Sequence, residues 1–156
     1  MRKTRAKKRP LLPDPRFNDP LVTRFVNNLM YDGKKSTAFT IFYDAIDIVS
    51  EKSGEANGLD QWKTALTNVM PHVEVRSRRV GGSTFQIPQQ IRPERKISMA
   101  MKWMIGYARG RNEKSMAGKL AGEIMAAAKE EGAAVKKRMD VHKMAEANKA
   151  FSHFRF

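Results

Sequence analysis

The chain has 156 residues, enough for one domain of ordinary size, and its 41% hydrophobic content is enough for a core. Thirty Lys and Arg against sixteen Asp and Glu give a net charge of +14, a surplus that repels itself in a compact fold unless a polyanion neutralises it. With no Cys there is neither a disulfide framework nor a thiolate metal site, and no apolar run approaches the roughly 20 residues of a membrane span, since Lys102 interrupts even Ile97 to Ile105.

Residues 1–18 read as a basic extended arm. Arg2, Lys3, Arg5, Lys7, Lys8 and Arg9 have no acidic neighbour and lead into Pro10, Pro13 and Pro15 rather than into an apolar export signal, so this segment waits for an anionic surface to order it. Residues 19–150 read as one helical domain. Asp19-Pro20 starts the first helix, with Leu21, Val22, Phe25, Val26, Leu29 and Met30 on its core face and Asp32-Gly33 at its end. A second helix from about Ser36 buries Phe39, Phe42, Ile46 and Val49 and turns Asp44, Asp47 and Glu51 outward, a solvated face rather than a metal site. A third, with Leu59, Trp62, Leu66 and Val69 at helical steps, stops at Pro71.

The period then changes to two. Val73, Val75 and Ser77 alternate with Glu74, Arg76 and Arg78, and Phe85 and Ile87 resume the alternation after Gly81-Gly82, which predicts a β-hairpin over about 72–88 with a glycine turn. Phe85 is expected to pack into the core at its base, with base stacking the alternative. From Pro93 a fourth helix carries Ile97, Met101, Met104, Ile105 and Ala108 and closes at Gly110. A fifth, from about Ser115 to Gly132, buries Met116, Leu120, Ile124 and Ala127, and a sixth buries Val135, Met139 and Ala145. Residues 151–156 form a short aromatic and basic tail. The predicted fold class is mainly α: a six-helix body with a protruding two-stranded hairpin and a basic arm.

Enzymatic constellations are missing. His72, His142 and His153 fall in different elements without metal-site spacing, no H-E-x-x-H or G-x-S-x-G occurs, and Gly33-Lys34 is followed by Lys35 with Asn28 where a P-loop needs its first glycine. Neither catalytic residues nor a metal or other cofactor are predicted. The cations, by contrast, are grouped: Lys34 and Lys35; Arg76, Arg78 and Arg79 in the hairpin; Arg92, Arg95 and Lys96 at the start of the fourth helix; Arg109, Arg111 and Lys114 after it; and Lys119. Residues 44–60 instead hold five acids against Lys52 alone. Such segregation is a one-sided electrostatic footprint for phosphates, with specificity left to RNA shape and exposed bases. Trp103 and Tyr107 are candidate stacking platforms, with core packing the alternative for Trp103. An architectural DNA-binding protein with a basic ribbon and an RNA-modifying enzyme are the competing classes; the second lacks its acid–base pair.

Asp19-Pro20-Leu21, Phe25-Val26, Gly33-Lys34-Lys35, Ile41-Phe42 and Ala45, in this order, resemble the signature of the small-subunit ribosomal protein seven family. The run Val73 to Gly82 with Ile87-Pro88 resembles its ribbon, and Ala134 to Arg138 and Met144 to Phe151 its closing segment, so the likeness covers the chain. It implies a structural protein of the small ribosomal subunit, cytoplasmic and of bacterial type, that binds small-subunit ribosomal RNA first and nucleates assembly of the head. The basic residues grouped above would hold ribosomal RNA. Arg78, Arg79, Val80, Gly81, Gly82 and Ser83, with Lys136, Lys137, Arg138, Lys143 and Lys149, would lie near exit-site tRNA. Neighbouring proteins of the head and platform, including small-subunit ribosomal protein eleven, are the implied partners, with no membrane. One departure is Gly58, where many members carry Pro; it is expected only to loosen a helix start.

Overall fold

The computed structural model describes all residues except 1–3, 5, 8, 54–56, 155 and 156, so the arm residues Arg2, Lys3, Arg5 and Lys8 lie outside the described residues. The elements run α1 (Pro20–Leu29), α2 (Lys35–Ser53), α3 (Gly58–Val69), β1 (Val73–Val80), β2 (Ser83–Gln90), α4 (Pro93–Arg109), α5 (Met116–Ala128), α6 (Ala133–Ala147) and a final 3-10 helix (Lys149–Phe154). Helix starts follow the local chemistry. Asp19 Oδ1 accepts the Leu21 N–H at 2.8 Å ahead of Pro20, and Ser115 Oγ accepts the Gly118 N–H at 3.1 Å, each satisfying a donor the first turn leaves free.

The core is built round three rings. Phe25 of α1, Phe42 of α2 and Trp62 of α3 are fully buried, with centroids 5.2–5.4 Å apart and tilted or edge-on contacts. Aromatic pairs in these geometries add about 0.5–1.5 kcal/mol each beyond area burial. The small residues of α5, with Leu120 and Ile124 between Ala117, Ala121 and Ala127, let that helix pack against α2, α3 and α4 at once.

β1 and β2 pair antiparallel from Val73↔Gln90 to Val80↔Ser83, so the ribbon extends two residues beyond the predicted 88. Gly81 and Gly82 have φ of +57° and +90°, the two positive values a two-residue type I′ turn demands. A lone two-stranded ribbon is marginal in water. Here α6 packs on β1 and the 3-10 helix packs on β2, which brace it from the side. Lys149 through Phe154 are therefore folded against the ribbon.

Several expected core positions move. Phe85 stands opposite Arg78, three residues from the tip, and packs on Phe151 and Phe154 with centroids 5.2 and 5.4 Å away instead of entering the main core. Met139 is 47% exposed because α6 contributes only Ala134, Val135, Val141 and Ala145 to the interior. Phe39 and Met116 are half-buried at the margin. The last residues of the arm are tied to the body. Asp14 is buried and accepts the backbone N–H groups of Arg16, Phe17 and Asp19 and the Tyr43 hydroxyl at 3.0–3.1 Å. Arg16 closes on Asp47 of α2 with bonds of 2.6 and 3.0 Å.

Gly58 does more than loosen a helix. Its N–H donates to Ser50 Oγ at 3.0 Å, and a Cβ there would lie 2.5 Å from that oxygen and 2.6 Å from the Ile46 carbonyl. The bare backbone is what lets α3 cross α2 so closely. Gly58→Ala is expected to destabilise the fold by about 1–3 kcal/mol through overpacking. Gly106→Ala, on exposed helix with nothing within 4 Å of the added carbon, is expected to be neutral or stabilising by up to about 1 kcal/mol. Denaturant titration of the two variants checks the pair.

Candidate nucleic-acid interface

Helices α1 and α4 pack side by side, and cations line the seam between them. Near the start of α4, Arg24 reaches across from α1 and donates to the Glu94 carbonyl at 2.9 Å and to Ser98 Oγ at 2.5 Å. Arg24 shares a hollow with Arg92, Glu94, Arg95 and Ser98. At the far end, Arg109 donates to the Leu29 carbonyl at 3.1 Å and to the Tyr31 hydroxyl, and its guanidinium stacks 3.9 Å from the centre of the Tyr31 ring. Lys119 Nζ donates to the Arg109 carbonyl at 3.3 Å, and Lys114 lines the same hollow. A 17-residue helix is about 25 Å long, so the two cation groups sit toward opposite ends of α4 along the same seam.

The hairpin root is fixed by a buried acid. Glu74 is 7% exposed and is clasped by Arg95, with bonds of 2.8–3.2 Å, and by Arg76 at 2.9–3.0 Å. Burial pulls its carboxyl upward, but the hydrogen bonds and charge of Arg95, then those of Arg76, outweigh this and hold it below the ordinary carboxylate range. Both guanidiniums remain about half exposed, at fixed positions beside Arg92, Gln89 and Gln90. Arg111, in the connection between α4 and α5, is held likewise: Nε meets Glu113 Oε1 at 2.8 Å and Nη1 meets Glu123 Oε2 at 3.1 Å. Glu123 is 1% exposed and its other oxygen accepts the Ala134 N–H at 2.9 Å, an anion on the N-terminus of α6.

Lys34 and Lys35 project from the start of α2, the first 4.0 Å from Asp32 and the second 5.8 Å from the Phe39 ring centre. Lys96 Nζ lies 3.3 Å from His72 Nδ1. The hairpin tip is exposed at Arg79, Gly81, Gly82 and Ser83 and half-buried at Val80, while Arg78 donates to the Phe154 carbonyl at 3.1 Å. On α6 and just beyond, Lys136, Lys143 and Lys149 are exposed and Lys137 is half-buried. Arg138 is drawn inward to the Asn68 carbonyl at 2.6 Å, near the C-terminus of α3. Trp103 and Tyr107 are half-buried and packed against the core.

Two residues of the stripe escape a reading of the sequence. Arg24 sits inside an apolar stripe, and its partners lie 70 and 74 positions away, so no local signal marks it. Tyr31 falls in the turn after the stripe ends, an aromatic with no core to enter, and that position is its only signal. It is 64% exposed. The histidines also meet: the His72 N–H donates to His142 Nε2 at 3.1 Å, an acceptance that requires this nitrogen to be unprotonated. Burial, then the charges of Arg138 and His72, lower the His142 pKa accordingly. Among the described residues no group of three His, Cys, Asp or Glu could hold a metal ion.

The Glu74 clasp gives the fold a specific acid sensitivity. A carboxyl whose folded pKa lies below its ordinary value of 4.5 contributes stability above that pH and loses it as the pH falls through the folded value. Melting temperature is expected to drop on going from about pH 5 to pH 3, and Glu74→Gln is expected to shrink that drop, as followed by circular dichroism.

The family description "Ribosomal protein S7p/S5e" matches residues 1–149. The chain is 81% identical to the small ribosomal subunit protein uS7 of Flavobacterium psychrophilum and 80% identical to that of Flavobacterium johnsoniae, over the full length of both partners in each case. It is 60% identical to the uS7 of Porphyromonas gingivalis, again over the full length of both. The signature segments, the helical body with its ribbon and these full-length likenesses agree: the chain belongs to the ribosomal protein S7p/S5e family.

Proposed function

We propose that the chain, a structural constituent of the small ribosomal subunit and not an enzyme, is a primary binder of small-subunit ribosomal RNA that nucleates assembly of the subunit head. The observation that carries this reading is the α1–α4 stripe. Arg24, Arg92, Arg95, Arg109, Lys114 and Lys119 come from three stretches of sequence and line hollows along one seam, four of them anchored by bonds to the protein itself. Cations held in place before binding lose less side-chain freedom on meeting phosphates, which favours one shape of folded RNA over any duplex. The acids Asp44, Asp47 and Glu51 sit on exposed positions of α2 and line neither of these hollows.

In this reading Lys34, Lys35, Arg76, Arg78, Arg79, Lys96, Arg111 and the arm add further phosphate contacts. The hairpin tip from Arg78 to Ser83 and the α6 side, with Lys136, Lys137, Arg138, Lys143 and Lys149, form a second surface near exit-site tRNA. Small-subunit ribosomal protein eleven neighbours that side. Support for a separate surface comes from the packing of α6 on β1 and of the 3-10 helix on β2, which joins tip and C-terminal region into one unit. The workplace is the small subunit, cytoplasmic in bacteria.

Two measurements test this. The protein is expected to protect a discrete set of nucleotides in small-subunit ribosomal RNA on chemical footprinting; uniform protection of unrelated duplexes would contradict the proposal. Deleting residues 1–9, which hold six cations and precede the first buried anchor at Asp14, is expected to lower the log–log salt slope of RNA binding by up to about 4–5 without changing the melting temperature. A sharp fall in melting temperature would place the arm in the core.

A further inference from the structure

At the C-terminal end of the seam lies a hollow of about 430 Å³ whose character differs from the rest of the stripe. Its apolar lining is Leu29 from α1, Ile41 from α2 and Met116 from α5, three elements whose convergence no stretch of sequence reveals. Arg109, Lys114 and Lys119 also line it, and no acidic residue does. Tyr31 completes the lining. The Arg109 guanidinium stacks on its ring and bonds its hydroxyl, and the residue stays 64% exposed.

A purely electrostatic phosphate track has no use for an apolar pocket with an exposed, cation-backed ring. A planar, uncharged group carried on an anionic chain uses all of it. The pocket lies within the size range of small-ligand sites. It offers a phosphate Lys114 and Lys119 rather than a glycine-rich loop, a set suited to a polymer lying along the seam. We propose that this hollow takes a single unpaired RNA nucleotide, its base stacked on Tyr31 over the Leu29–Ile41–Met116 floor and its phosphate held by Lys114 and Lys119. The inference rests on the seam being an RNA face and adds to it a site for one extruded base.

The experiment uses the full chain and a transcript of the small-subunit head RNA. Tyr31→Ala is expected to weaken binding about 5- to 150-fold, the range for loss of one base–aromatic stack, with the salt slope unchanged. Tyr31→Phe is expected to bind like the unsubstituted protein. Lys114→Gln and Lys119→Gln are each expected to lower the slope by about 0.7–0.9. Abasic replacement at each unpaired nucleotide in turn is expected to find one position whose loss matches that of Tyr31→Ala and adds nothing to it. If the lysine variants flatten the salt dependence while Tyr31→Ala binds normally, or while no abasic position is coupled to it, the pocket assignment is overturned and the RNA face stands. If neither set of variants changes binding, both fall. Tyr31 is exposed, so an unchanged melting temperature for Tyr31→Ala separates lost stacking from lost folding, and Tyr31→Leu, which keeps apolar cover without a ring, is expected to bind as weakly as Tyr31→Ala.

Discussion

Two buried carboxylates organise the cationic surface of this protein. Glu74 and Glu123 are the only buried glutamates among the described residues; Glu74 pairs with Arg95 and Arg76, and Glu123 with Arg111. A carboxylate taken out of water is costly unless paired and hydrogen-bonded, so each demands a guanidinium and fixes where it sits. Glu74 thereby sets Arg95 and Arg76 at the hairpin root, while Glu123 joins Arg111 to the first turn of α6. In a chain carrying +14, acids placed this way do more than trim the net charge. They convert long, mobile cations into positioned ones without removing them from the surface.

The same economy recurs without acids along the α1–α4 seam. Arg24 and Arg109 are held by backbone carbonyls, two hydroxyls and an aromatic ring, so hydrogen bonds to neutral groups fix them in place. The bundle beneath is stiff for a separate reason: three interlocked aromatic rings and a small-residue helix at its centre leave little room for the helices to shift. A rigid support bearing oriented cations is what recognition of RNA by shape requires. That combination accords with membership of a ribosomal protein family better than the bare excess of Lys and Arg does.

Most of the fold was legible because its signals are local. The 3.6-residue stripes, the switch to period two at Val73, the paired glycines and the Asp19-Pro20 and Ser115 starts each depend on neighbours in sequence. What escaped depends on contacts across the chain. Phe85 reads as a core residue until the terminal aromatics fold back over it. Met139 reads as buried because it lies four residues past Val135, but the face α6 turns inward runs through Ala134, Val141 and Ala145 instead. Gly58 reads as a weak helix start until α2 is seen 3.0 Å away at Ser50 Oγ. The cation groups were visible as clusters, but their ordering by Glu74, Glu123 and carbonyl oxygens, and the presence of Arg24 and Tyr31 among them, belong to tertiary structure alone.

Lysine reactivity reports most directly on whether the positive surface works from one side. With an amine-acetylating reagent applied to the free protein and to its complex with small-subunit ribosomal RNA, Lys96, Lys114 and Lys119 should become protected. Lys52, on acid-bearing α2, and Lys63, paired with Asp19 at 2.7 Å, should react at unchanged rates. Equal protection of Lys52 and Lys63 with the seam lysines would mean that RNA is gathered by net charge alone, and the account of an oriented face would be wrong.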